Sequence, residues 1–227
     1  MTDALSLLRL LQTTDSAFPS GAFAFSSGLE TLTNEGRVRD ATGVHGVLTH
    51  QIMPRWFGFD RLFLHQAMTA AGDPQRLLDI DLRCHVQNTA DRLADASRRI
   101  GRSLLSVHSR IGTPLVADFQ AAIAQAKRGH AAGYEPVVQG VVAAGLGLSP
   151  AQAQAGALNG VVTAFTSAAV RLGVLGAIEA QSLLAQIAPA MAEGLSRPCP
   201  ERPGSFSPLS EIAAVRRTAA HASLFAT

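Results

Sequence analysis

Cysteine is scarce in this 227-residue chain: Cys84 and Cys199 are the only two, and they stand far apart. A disulfide framework is therefore excluded, and a reduced, cytoplasmic setting is expected, because the first residues also lack the basic, apolar and small-residue order of a signal peptide. Long hydrophobic runs are missing too. The longest, 140–148 and 172–178, fall well short of the roughly 20 residues that cross a bilayer, so no membrane span is expected. Charge excess is small, at +2, which argues against a nucleic-acid partner, since that needs a clustered basic face. Sustained alternation of apolar and polar residues is absent as well, leaving no sequence signal for strands.

Catalytic motifs are equally thin. The chain holds no GxxxxGK[ST], no HExxH and no GxSxG, and the GLGL of 145–148 lacks the rest of a dinucleotide fingerprint. Seven histidines are spread singly. His45 and His50 are five apart and so do not share a helix face, and no spaced set of three or four ligands is visible. No enzyme chemistry, cofactor or resident metal is expected.

What is present is helical periodicity on an apolar content of 47%, enough for one sizeable core. Leu5, Leu7, Leu8 and Leu11 mark a first helix. Val44, Val47, Leu48 and Ile52 mark a second, which Pro54 is expected to stop. Trp56 to Met68 form a third, ended by the GDP break at 72–74, and 74–111 reads as two more, with Asp79–Arg83 and Asp95–Arg99 as supporting pairs four apart. Arg98, Arg99, Arg102 and Arg110 gather with no acid among them, either as a solvated helix face or as a seat for an acidic protein. After a helix at 114–128, residues 137–187 carry only Arg171 and Glu179 as charges, which predicts a buried core or an oligomer seam. Ser149 and Pro150 form a clear helix start. Gly156, Gly160, Ala164 and Ala168 share one face there, suited to close helix packing inside the monomer or across a dimer.

Two stretches do not fit a plain bundle. GLSRPCPERPGSFSP, 194–208, has four prolines and two glycines in fifteen residues and reads as a linker. The divisions expected are a helical domain over 1–195, a flexible linker over 196–208 and a tail over 209–227. In that tail Leu209, Ile212, Ala213, Ala220 and Leu224 could line one face of a helix that orders on a partner. Near the other end, DSAFPSGAFAFSSGLE, 15–30, sets glycines where a helix would not choose them, which reads as a contact surface.

This second stretch resembles the opening signature of the urease accessory protein UreF family, roughly D-S-x-x-P-x-G-x-F-[AS]-[HY]-S-x-G-L-E. Asp15, Ser16, Pro19, Gly21, Phe23, Ser26, Gly28, Leu29 and Glu30 match in order. ADASRRIGRSLL at 94–105 resembles the family's central arginine-bearing helix, and QGVVAAGLGL and TSAAVRLGVLGAIEAQ, at 139–148 and 166–181, continue the likeness. Phe25 stands where the family has His or Tyr, and Val174, Ala177 and Ala180 replace its usual Pro, Gln and Gly. Toward the C-terminus, Arg217, Thr218 and Ser223 depart from its H-E-x-x-x-S-R-L-F ending.

The resemblance implies an all-α homodimer without chemistry of its own, which joins UreD and the GTPase UreG so that nickel is loaded into apo-urease. It implies partner-binding roles for Pro19, Gly21, Phe23, Phe25, Ser26, Gly28, Glu30 and Arg171, and for Leu209, Ile212, Leu224 and Phe225 of the tail. On this reading Gly21 and Gly28 let a partner's backbone approach, Phe23 and Phe25 give apolar contact, and Glu30 meets a cation. Arg171, set among Ala, Val and Leu, is expected to be buried or half-buried. A regulator of GTP hydrolysis acting through Glu30 or Arg171, and a helical small-molecule-binding protein, are the alternatives.

Overall fold

The computed structural model describes residues 4–126, 132–216 and 225. They are helical, with no strand among them, as the periodicity predicts. The helices are α1 (Ala4–Thr14), α2 (Leu29–Asn34), α3 (Ala41–Val47), α4 (Met53–Arg55), α5 (Arg61–Thr69), α6 (Pro74–Gln87), α7 (Asp91–Arg110), α8 (Val116–Gln125), α9 (Glu135–Gly145), α10 (Pro150–Arg171), α11 (Ala177–Ser196) and α12 (Pro208–Arg216).

Helix starts follow the local chemistry. Asp40 and Asp73 cap α3 and α6 through bonds from Gly43 N and Arg76 N, and Ser149 with Gln152 closes a reciprocal capping box at α10. The supporting ion pairs fall differently from the i, i+4 expectation: Asp95 pairs with Arg98, one turn face over, while Arg83 donates to Gln66 Oε1 at 2.7 Å. Cys84 and Cys199 are both free.

Pro54 does not stop its helix. From Ala41 to Thr69 the chain stays helical, widening into π turns at Leu48–Ile52 and Trp56–Asp60. A proline ring clashes with the carbonyl four residues before it and offers that carbonyl no N–H. The first π turn absorbs the insult by pairing Met53 N with Leu48 O, and the orphaned His50 carbonyl is bonded instead by its neighbour, Gln51 Nε2, at 2.9 Å.

This long helix divides two apolar clusters. One gathers Phe59, Phe63, Leu77, Ile80, Leu104, Phe119 and Val141 from the second π turn and α5 to α9, and the other Leu29, Leu48, Trp56, Leu158, Val162, Phe165 and Ile187 from α2, the two π turns, α10 and α11. The uncharged 137–187 segment is thus spent largely inside the monomer, where α9 lies against α5 and α7, and α10 against α11. Exposed leucines lie elsewhere, at Leu7, Leu8 and Leu11 of α1, 46% to 63% accessible. Among the described residues no helix is long and apolar enough to cross a membrane.

The entry to α9 is fixed by Asp81, wholly buried on α6, whose carboxylate accepts from Ala132 N, Gly133 N and Tyr134 N at 2.6 to 3.0 Å. Burial outweighs these bonds and raises its pKa. The Tyr134 hydroxyl then sits between His85 Nδ1 and Arg98 Nη1, at 2.8 and 2.9 Å.

Candidate functional site

The signature stretch folds into a short 3₁₀ turn, Ala22–Ala24, between two left-handed glycines, and then enters α2. Gly21 has φ +76° and open space around its α-carbon, so conformation rather than crowding demands glycine there. Gly28, at φ +85°, is crowded: a Cβ would lie 2.7 Å from Ser210 O, 3.0 Å from Ala213 Cβ and 3.3 Å from Ala214 N. The backbone that Gly28 admits is therefore this chain's own C-terminal helix. Pro19 is exposed and its carbonyl accepts from Ser103 Oγ of α7 at 2.7 Å. Phe23 is half-buried, and the buried Phe25 ring lies under the Arg99 guanidinium at 5.4 Å. Ser26 and Glu30 are inside, at 1% and 7% exposure, with Glu30 in the first turn of α2, where the helix dipole favours a carboxylate.

The tail helix is held by the π-bulged helix. Gln51, having capped the carbonyl that Pro54 orphaned, accepts from Leu209 N in the first turn of α12 at 2.9 Å. Gly204 N donates to Gly58 O in the second π turn at 2.8 Å. Between them Arg55 donates to Ser205 Oγ and Asn88 Oδ1, at 3.1 and 3.3 Å, and lies 3.6 Å from Glu211 and 3.9 Å from Asp60. Upstream, Arg61, only 5% exposed, donates to Gln154 Oε1 and to the carbonyls of Gly194, Leu195 and Arg197 that end α11. The proline-rich segment expected as a tether is thus held to this helix at its two ends, by the bonds at 194–197 and at 204–209.

The face that α12 turns inward also differs from the periodicity reading. Ser210, Ala213 and Ala214 are buried, Leu209 is half-buried, and Ile212 and Val215 are 48% and 61% exposed. Gly28 explains this, because only side chains of alanine size fit where the two backbones meet. Leu224 and Ala220 lie outside the described residues. Phe225 is buried and meets the other residue singled out at a distance, Arg171, whose guanidinium lies 4.4 Å from the ring centre. Arg171 itself is exposed rather than half-buried. It ends α10, where a cation suits the helix dipole, and its Nε donates to Ser167 O at 3.4 Å.

Behind the signature loop lies a half-open cavity of about 220 Å³ lined from α1, α7, α9 and α10 and by Ser210 of α12. Its walls are mostly apolar, with Asp60, Glu135 and Arg55 among its polar groups. Enclosure raises both carboxyls; Glu135 rises to about 8, with Asp60 adding to the effect and Arg55 opposing it, and its Oε1 accepts from Gln139 Nε2 at 3.0 Å. His108, under the Phe18 ring and bonded through Nδ1 to Thr113 Oγ1, is depressed to about 4 by burial and so is neutral at pH 7. Its Nε2 and the Ser210 Oγ are buried without partners. Among the described residues no group of three or more His, Cys, Asp or Glu is placed to hold a metal ion.

Sequence reading therefore found the signature and the tail but not the helix that holds the tail. Gln51, Arg55, Gly58 and Arg61 carry no motif of their own, and Pro54 in the sequence points to a helix end rather than to the continuous, π-bulged helix that forms.

Comparison with known proteins identifies the family. The UreF family model matches residues 38–188. A urease accessory protein UreF from Arthrobacter sp. (strain FB24) is 32% identical over 225 residues, covering 96% of each chain. Another from Trichodesmium erythraeum (strain IMS101) is 32% identical over 190 residues, covering 83% of this chain and 81% of its own, and one from Rhodopseudomonas palustris (strain BisA53) is 31% identical over 228 residues, 98% and 93%. Joined to the signature that seats the tail, these matches show that the chain belongs to the UreF family of urease accessory proteins.

Proposed function

We propose that this protein is a non-enzymatic adaptor of urease maturation that bridges UreD and the GTPase UreG while nickel, as cargo, is inserted into apo-urease in the cytoplasm. The observation that carries the reading is the union of signature and tail. Gly28 and the Ser210–Ala214 face lie in contact, so two segments about 180 residues apart make one continuous surface. On its outer side Ile212 and Val215 stand exposed at helical spacing, an apolar pair with no work to do inside the monomer. A homodimer is part of the proposal, and the exposed leucines of α1 are better placed to form it than the 137–187 core.

The test is co-purification with UreD and UreG of the full chain and of the chain ended after Gly204. The full chain is expected to hold both, and the shortened one to stay helical but lose UreD. Failure of the full chain to bind either sinks the adaptor reading.

Regulation of GTP hydrolysis would have to work through Arg171, because Glu30 is inside. Binding of a small molecule has one observation in its favour, the half-open apolar cavity with its raised carboxyls, and thermal-shift screening of the purified protein tests it.

A further inference from the structure

The outer face of α7 is spoken for by neither the tail nor the cavity. Arg99, Arg102 and Arg110 are all exposed there, with Ser103 and Ser106 between them. At 3.6 residues per turn the three arginines fall within about 80° of one another and extend over about 16 Å. The acids of this helix, Asp91 and Asp95, sit at its N-terminal end, and Asp95 is engaged by Arg98. Among the described residues none of the three arginines has an ion-pair partner. The row is also not loose: Arg99 rests over the Phe25 ring, and Ser103 holds the Pro19 carbonyl, so it is braced against the signature loop.

We propose that this row docks an acidic segment of a protein partner, with carboxylates spaced to meet Arg99, Arg102 and Arg110. Guanidinium forks pair with carboxylates through two parallel hydrogen bonds, and a row one helix wide matches one acidic helix or loop. A duplex nucleic acid would need a broader basic face than a single row on a chain of net charge +2 provides. The choice of candidate partners rests on the urease-maturation reading.

The test compares the full chain with the Arg99→Glu/Arg102→Glu/Arg110→Glu variant for binding to purified UreG, UreD and apo-urease, in low and physiological salt. Circular dichroism checks that the variant is folded; Arg102→Glu/Arg110→Glu, which spares the Phe25 contact, replaces it if it is not. One of the three proteins is expected to bind the variant at least tenfold more weakly, with a shallower salt dependence, while the triple Arg→Lys variant keeps most of the affinity. Equal binding of the unaltered chain and the Glu variant overturns the arginine row alone. An unaltered chain that binds none of the three overturns the maturation reading and this proposal with it. A 20-base-pair DNA duplex bound by the unaltered chain and lost by the variant, with protein affinities unchanged, overturns it in favour of a polyanion surface.

Discussion

The interior around α10 and the seat of the C-terminal segment are held by opposite means. Around α10, Leu158, Val162 and Phe165 are at most 3% exposed and meet other large apolar side chains, so cohesion comes from area removed from water. At the seat a glycine meets a helix backbone and two alanines, Arg55 and Arg61 donate hydrogen bonds, and Gln51 and Gly58 accept them from Leu209 N and Gly204 N. Each such bond contributes about 1 kcal/mol net, because water offers nearly the same bond to the released group. The first kind of contact cannot be undone without unfolding, whereas the second can be exchanged for another surface at small cost.

Leu158→Ala should break the first region outright, lowering stability by about 2 to 5 kcal/mol through lost burial and the cavity left behind, read as a drop in thermal midpoint. Gly28→Ala should break only the second. The left-handed backbone and the clash with Ser210 O together cost about 1 to 3 kcal/mol, and undocking α12 relieves the clash. Hydrogen exchange over 205–216 should then rise sharply while exchange in α9 and α10 stays slow; an equal rise in both would erase the distinction between the regions. Gln51→Ala should act the same way more weakly, by about 1 kcal/mol, since it leaves His50 O and Leu209 N without their partner.

A last test sharpens the comparison through pH. Glu135 ionises near 8 in the folded chain and near 4.5 when unfolded, so the folded state holds this proton more tightly. Its contribution to stability therefore declines as pH rises from about 4.5 to about 8. Glu135→Gln should leave the thermal midpoint little changed at pH 5 and raise it relative to the unaltered protein at pH 8.5. A difference independent of pH would mean that the folded chain does not hold this proton more tightly than the unfolded one.

Much of the helical bundle could be read from the sequence because its causes are local: the Ser149–Pro150 start, the GDP break and the apolar periods all act within a few residues. The seat could not, because its causes lie far apart. Pro54 ends a helix when its neighbours alone are considered; it fails to do so here because Gln51 covers the orphaned carbonyl and is in turn occupied by Leu209, 158 residues on. Helical periodicity alone turns Ile212 inward, because it cannot register the size of the gap at Gly28. The company of Ala, Val and Leu places Arg171 inward in the sequence, whereas at the end of α10 its long side chain reaches solvent. Asp60 and Glu135 carried no signal at all, being single acids that meet only across the cavity.

The same separation sets a clock. The residues around Pro54 are synthesised early, and the residues that fill their bonds come some 150 positions later. At usual rates of synthesis that gap lasts roughly 8 to 30 s. For that interval each new chain carries Gln51, Arg55 and Gly58 with their tail-side bonds unmade, and a protein able to satisfy them meets no competitor for the place.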